Sequence, residues 1–320
     1  MFRKIAVDCG KGFTKIAFRD KDGNIVTKRF RSTKGLAFNI DAPIFGDGCN
    51  VCYEGKCFTI GMAGTGKTNS SSSKKDEVHK LCVMTAIAMA VDDGDDVELI
   101  IGTPAAFCKR PEDVTEYKEF VAPTGRHEVI LKTGNRNKTT KRFFIRSVKA
   151  TYEGIGYYLV NKERLGKNAA VCDIGNLNIN TFNIANGNIE MDSIRTSELG
   201  YRYLVNQVTQ ALKTISPDVK ESLIEQILSE APENRYLPSR PEESKQIITE
   251  KINEYCIRVI TEIQASDCDL YNTKLYLIGG TVHVIRHELT DLLVSHFNNA
   301  PVIEDDSEFA NVTGYLNILG

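Results

Sequence analysis

The sequence predicts an α/β protein of two related halves, and three observations carry that expectation. A strand–Asp–x–Gly–strand pattern occurs twice, as "KIAVDCGKGFTKIAF" and "AAVCDIGNLNINTFNI". Asp8 and Asp173 hold the same place in it, as do Gly10 and Gly175, which suggests a duplicated fold. Apolar helical segments alternate with buried strand runs, as helices packed on a sheet should. At 320 residues, 42% hydrophobic and 26% charged, the chain has the size and composition of two ordinary globular domains.

The elements follow in order. "KIAVDCG", "FTKIAFRD" and "IVTKRFRS" read as strands, with Asp22-Gly23 marking a hairpin turn between the last two. Residues from Thr33 to Ser73 mix short strands with turn formers and read as a small appended subdomain. "VHKLCVMTAIAMAV" (Val78 to Val91) is apolar nearly all round, a helix lying on a sheet, and "VELIIGTP" is a buried strand. After the second Asp-x-Gly motif comes a hairpin turn at Asn186-Gly187-Asn188. "ELGYRYLVNQVTQAL" is helical by the spacing of Leu204, Val205, Val208 and Leu212. Pro217 to Pro241 is polar and reads as short surface helices. "SKQIITEKINEYCIRVITEI" is a long amphipathic helix with Ile248, Ile252, Tyr255, Val259 and Ile263 on one face. "KLYLIGGTVHVIRHEL" reads as strand, double glycine and helix, and "FANVTGYLNILG" as a closing apolar helix.

Composition narrows the function. The net charge is −2 with cations scattered along the chain, which argues against direct nucleic-acid binding or a membrane-surface patch. Asp8 comes too early for a signal peptide, no apolar run approaches a membrane span, and nine cysteines suit a reducing cytoplasm. Cys49, Cys52 and Cys57 in "CNVCYEGKC" lack a fourth ligand for zinc, so free thiols in a hairpin are expected. "GMAGTGKT" (Gly61 to Thr68) spells a P-loop, but Asn69 and four serines follow Lys67-Thr68 where a helix should begin. It is expected to be a decoy.

The repeated turns carry the chemistry. A glycine turn at the end of a buried strand presents backbone N–H groups to phosphate, and the aspartate beside it can hold Mg²⁺ through its waters. Taken singly, an Asp-x-Gly turn is more often only a turn. Two of them, followed by Gly279-Gly280 before a helix, form an ordered set.

That set resembles the actin, Hsp70 and sugar-kinase superfamily, and within it the ParM-type bacterial actins of plasmid segregation. Asp8-Cys9-Gly10-Lys11-Gly12 resembles the first phosphate motif, Asp173-Ile174-Gly175-Asn176 the second, and Ile278-Gly279-Gly280-Thr281 the adenosine motif. "LIIGTP", "SELGYRYLVNQV" and "FANVTGYLNILG" are similar to further family segments. The resemblance implies an actin-like ATPase fold, two related RNase H-like domains around a nucleotide cleft. Domain I would span 1–160, with a small subdomain at about 34–75 and a C-terminal helix, 306–320, returning to it. Domain II would span 161–305, with a small subdomain at about 213–245. Gly61 to Thr68 would then lie in the small subdomain of domain I, away from the phosphates.

The resemblance also implies site residues. Asp8, Gly10, Lys11, Gly12, Phe13, Thr14, Gly175, Asn176, Leu177 and Asn178 would bind phosphates. Gly200, Asn253, Glu254, Gly279, Gly280 and Thr281 would bind adenosine, and Asp8 and Asp173 would hold Mg²⁺ through water. Asp173 would be catalytic with Glu153, which resembles the acid that orients the attacking water; an ungapped match places Thr151 there instead. Asn176, Leu177, Asn178 and Asn180 depart from the family's glycine, threonine and late aspartate, though asparagine tolerates positive φ and donates hydrogen bonds. The implied function is a filament that polymerises with ATP or GTP, hydrolyses it slowly and moves plasmid DNA through an adaptor protein. The rivals are a cytoskeletal filament without DNA cargo and a sugar-kinase-like phosphotransferase, which would need sugar-binding loops.

Overall fold

In the computed structural model the chain divides into a first unit, Met1–Asn161 with Phe309–Gly320, and a second, Lys162–Glu308. The structure describes residues 1–44, 48–61, 75–103, 111–134, 136–304 and 307–320. The P-loop look-alike beyond Gly61 lies outside these residues, as does Pro104 of "LIIGTP".

The first unit opens with three antiparallel strands, β1 (Phe2–Cys9), β2 (Phe13–Arg19) and β3 (Ile25–Arg31). The turn before β3 is set by Asp20, whose carboxylate accepts from the N–H groups of Asp22 and Asn24, and by Gly23 at φ +85°. Strands β4 (Lys34–Leu36), β5 (Cys49–Tyr53) and β6 (Lys56–Ile60) precede helix α1 (Glu77–Ala90) and strand β7 (Asp95–Thr103). Helix α2 (Pro111–Val121), strands β8 (Gly125–Thr133) and β9 (Thr139–Tyr152) and helix α3 (Ile155–Leu165) follow. The nine strands form one sheet in the order β3-β2-β1-β7-β9-β8-β5-β6-β4. The appended segment therefore extends the main sheet, because β5 pairs with β8 from Cys49 opposite Thr133 to Tyr53 opposite Val129.

The β5–β6 hairpin corrects the expectation of free thiols. Glu54 and Gly55 both take positive φ, the backbone of a two-residue hairpin turn, and this makes Cys52 and Cys57 direct cross-strand partners. Their Cα atoms are 4.0 Å apart and the two sulfurs are bonded as a disulfide. Cys49 stays a buried thiol, its pKa pushed up to about 12 by desolvation.

The second unit repeats the first unit's plan. Strands β10 (Ala169–Ile174), β11 (Ile179–Ala185) and β12 (Asn188–Ile189) are antiparallel, and β13 (Arg195–Ser197) pairs with β11. Helices α4 (Tyr201–Leu212), α5 (Glu221–Ser229) and α6 (Pro241–Ala265) lead to strand β14 (Lys274–Ile278), helix α7 (Val282–Phe297) and strand β15 (Val302–Ile303). The path β12-β11-β10-β14-β15 matches β3-β2-β1-β7-β9: three antiparallel strands, then two parallel to the central one. Leu204, Val205, Val208 and Leu212 of α4 and Ile248, Ile252, Tyr255, Val259 and Ile263 of α6 are buried in one core. Burying each such side chain contributes about 1.5–3 kcal/mol.

The chain ends in a 3₁₀ turn, Ser307–Phe309, and helix α8 (Ala310–Ile318), which belongs to the first unit. Strand alternation sorts that unit's sheet into two faces. Ile5, Val7, Leu99 and Ile101 pack with α1, while Ala6, Ala17 and Ile100 pack with Val312, Tyr315 and Leu316 of α8. The small residues bring α8 close. At Gly314 an added Cβ would lie 2.1 Å from the carbonyl oxygen of Gly156, so two backbones touch there.

Candidate functional site: two matched glycine turns

Within each sheet the strands beside the Asp-x-Gly turn run parallel to the strand that enters it. In the first unit β1, β7 and β9 are parallel, so the Asp8 turn, Gly102-Thr103 and Glu153 sit at one edge of that sheet. In the second unit β10 and β14 place the Asp173 turn beside Gly279-Gly280-Thr281. The carboxyl ends of parallel strands are where α/β folds bind ligands.

The two turns share one geometry. Gly10 N–H donates to the carbonyl of Phe13, three residues on, at 3.0 Å; Gly175 N–H donates to the carbonyl of Asn178 at 2.9 Å. A Cβ at Gly10 would stand 3.0 Å from Phe13 O, and one at Gly175 would stand 3.2 Å from Asn178 O. Each preceding aspartate is nearly buried, Asp8 at 6% and Asp173 at 7% exposure. Opposite them across the hairpins stand Lys15 and Asn180.

The first turn is braced by the end of β3. Ser32 N–H donates to Gly12 O at 3.0 Å, and its hydroxyl donates to Gly10 O at 2.6 Å. A carbonyl can only accept, so the single Ser32 proton is committed to Gly10. Thr14 must then donate to Ser32 Oγ at 2.9 Å, and the Cys9 thiol to Thr14 Oγ1 at 3.3 Å. Thr14, wholly buried, thus stiffens the turn from inside. Lys15 Nζ is 3.8 Å from Asp8, and Lys11 Nζ is 3.9 Å from Asp76, the N-cap of α1.

Glu153 follows β9 at the head of α3, half-buried, with its N–H donating to Thr103 O at 3.0 Å. Thr151, two residues earlier, is buried, and its carbonyl accepts from the Thr103 hydroxyl at 3.1 Å. Burial pushes the hydroxyl pKa of Tyr117 well up, and Cys9, Glu153, Asp8 and Asp76 push it further.

The second turn is braced by α4 and the glycine pair. The N–H groups of Gly200, Tyr201 and Arg202 donate to the carbonyls of Leu177, Gly175 and Asn176 at 2.8, 3.0 and 2.9 Å. Thr281 donates its N–H to Ile174 O at 3.1 Å and its hydroxyl to Gly175 O at 2.9 Å. Gly200 and Gly279 must be glycine: a Cβ would lie 2.4 Å from Leu177 C in one case and 2.5 Å from Asp173 Oδ1 in the other. With the turn's carbonyls engaged, no backbone carbonyl among the described residues accepts from Asn176 or Leu177 N–H. Among the described residues, a Cβ added at Gly280 would meet only Glu308 Cβ, at 3.9 Å, so the backbone there is open. Asn253 and Glu254 of α6 are exposed, Glu254 pairs with Lys251 at 2.8 Å, and neither takes part in the bonds that build the turn. The neighbouring Tyr255 does reach it, donating to Leu199 O at 2.8 Å.

Sequence reasoning missed Lys15, Ser32 and Asp76. Lys15 had a usable signal, since the tight turn between β1 and β2 sets it directly opposite Asp8 in the hairpin register. Ser32 and Asp76 reach the turn through tertiary contacts that no local pattern announces. Among the described residues no group of three or more His, Cys, Asp or Glu is placed to hold a metal by itself. One carboxylate and one lysine at the first turn, with water-mediated Mg²⁺ binding, fit a magnesium–triphosphate better than a bare cation.

Residues 6–156 match the family model described as actin like proteins N terminal domain. No curated protein sequence matches the chain. Three solved structures are similar over 99% of it: an Alp12 filament structure (23% identity, TM-score 0.68, 98% of that chain), a pCBH ParM non-polymerisable quadruple mutant (18%, 0.75, 99%) and Bacillus thuringiensis ParM with ATP (15%, 0.69, 98%). The fold is that of the actin-like proteins.

Proposed function

We propose that this actin-like chain of the ParM and Alp kind is a nucleotide-dependent filament protein, a slow ATPase (or GTPase) whose assembly is driven by the bound triphosphate. The observation that carries the reading is the pair of matched turns, each a glycine N–H bonded to the carbonyl three residues on, each beside a nearly buried aspartate. Similar structures support it: one is of a filament, and another is of a ParM with ATP.

In this reading Gly10, Lys11, Gly12 and Phe13 and the N–H groups of Asn176, Leu177 and Asn178 hold the phosphates, with Thr14 stiffening the first turn. Gly200, Gly279, Gly280 and Thr281 take the nucleoside, whose flat base suits the open backbone of Gly280; Asn253 and Glu254 border it from α6. Asp8 and Asp173 would hold Mg²⁺ through its waters, and the ion would neutralise developing phosphate charge. Lys15 adds a fixed positive charge beside Asp8. Glu153 accepts a hydrogen bond from the attacking water and aligns it. Segregation of plasmid DNA through a separate adaptor is the cellular role that best fits a near-neutral chain of this fold, in the cytoplasm.

Assembly tests the reading. Triphosphate binding shifts a two-domain protein toward one shape, and that shape can be the one that assembles. Light scattering and electron microscopy of the purified chain should show filaments with Mg-ATP or Mg-GTP and few with the diphosphate. Equal assembly with triphosphate, diphosphate and no nucleotide would overturn it.

A further inference from the structure

We propose that Asp76 is a positioning residue for phosphate recognition, holding the Lys11 ammonium of the first glycine turn in place. This rests on the nucleotide-binding reading above and names a residue outside both turns. Three observations combine. The Lys11 side chain is only 7% exposed, and its Nζ lies 3.9 Å from Asp76 Oδ2, although the two residues are far apart in sequence. Asp76 is in turn fixed at the start of α1: its Oδ1 accepts from His79 N–H at 2.8 Å and from His79 Nδ1 at 2.9 Å. His79 is fully buried, and among the described residues its Nε2 has no hydrogen-bond partner.

The physics runs from the histidine outward. A carboxylate cannot donate, so Nδ1 must carry the proton that Asp76 Oδ1 receives. The Nδ1–H bond to Asp76 and the packing of the core together set the orientation of the buried ring. Both bonds to Oδ1 fix the carboxylate plane and leave Oδ2 facing Lys11. Burial acts to raise the Asp76 pKa, but the His79 bonds and the Lys11 charge together hold it below the usual range, so it is an anion at neutral pH. A lysine stem is long and flexible, and fixing it on binding a phosphate costs rotamer freedom. An ammonium has three donors, so pairing with Asp76 is compatible with a further hydrogen bond from the same group to a phosphate oxygen. Prepaying that order before the ligand arrives is how a preorganised site gains affinity.

The test uses the full-length chain and displacement of a fluorescent adenine nucleotide, with Mg-ATP and adenosine as competitors. Asp76→Asn keeps a capping acceptor for His79 and removes only the charge, so the fold is retained and the melting temperature reports it. Mg-ATP should bind Asp76→Asn about tenfold more weakly, the size of a lost charge-assisted contact, with adenosine unchanged. In a Lys11→Met background the same substitution should have no further effect. The assignment is overturned if Asp76→Asn binds Mg-ATP as tightly as the wild type or more tightly. It is equally overturned if adenosine weakens in parallel, or if the loss persists without Lys11. A wild-type chain that binds no nucleotide refutes the functional reading itself, whereas a binding wild type with an indifferent Asp76→Asn removes only this role.

Discussion

At the scale of single residues, the two aspartates are the costly choices. Asp8 and Asp173 sit nearly buried at strand ends, and burying a carboxylate without a compensating partner is unfavourable. Asp8 has Lys15 at 3.8 Å, while the residue opposite Asp173 is the neutral Asn180. In the proposed reading Asp173 holds Mg²⁺ through water, and substituting it should separate chemistry from folding. Asp173→Asn keeps the shape against Gly279 and should lower triphosphate hydrolysis by about a hundredfold, the scale of losing one electrostatic contact to the transition state. Its urea midpoint should match or exceed that of the wild type. Wild-type turnover by Asp173→Asn would remove the aspartate from the mechanism.

At the scale of elements, the contact between α8 and the start of α3 decides how the chain's last helix docks. Replacing glycine by alanine inside a helix normally stabilises by about 0.5–1 kcal/mol. At Gly314 the sign should reverse, because the new methyl would lie 2.1 Å from Gly156 O and backbone cannot swing aside. Overpacking of this kind costs about 1–3 kcal/mol, so Gly314→Ala should lower the urea midpoint, and an unchanged or higher midpoint would contradict the close docking. Much of this level was legible in the sequence. The Asp-x-Gly repeat announced two strand hairpins, and the spacing of Leu204 through Leu212 announced the inner face of α4. What escaped was whatever depends on register or on distant partners. Glu54-Gly55 was readable as a two-residue turn, yet only the pairing of β5 with β6 puts Cys52 against Cys57. Ser32 braces the first glycine turn from the end of β3, and nothing local in "RFRST" marks that serine for the task. At Gly200 and Gly279 the need for glycine is steric and tertiary, set by Leu177 and Asp173.

At the scale of the whole molecule, charge decides how the chain can meet DNA. Duplex affinity depends on cations that neutralise backbone phosphates, and each such contact makes binding weaken further as salt rises. This chain has 40 Lys and Arg against 42 Asp and Glu, with a net charge of −2. Many of its cations are already engaged: Arg142 pairs with Asp93 and Glu128, Arg146 with Asp96, Lys149 with Glu98, and Arg3 with Asp92 and Asp95. Freeing them for a duplex would cost the ion pairs they now make, and a net charge of −2 leaves no overall excess of cations to offset that loss. A filament built from this chain should therefore carry DNA only through another protein that binds both. In a gel-shift titration the purified chain should leave plain duplex unshifted from low to physiological salt, with and without Mg-ATP. If the proposed plasmid-segregation role holds, addition of its DNA-binding adaptor should produce the shift. Tight binding to duplex by the chain alone, falling steeply as salt is raised, would show that a basic face forms on assembly and would overturn the adaptor requirement.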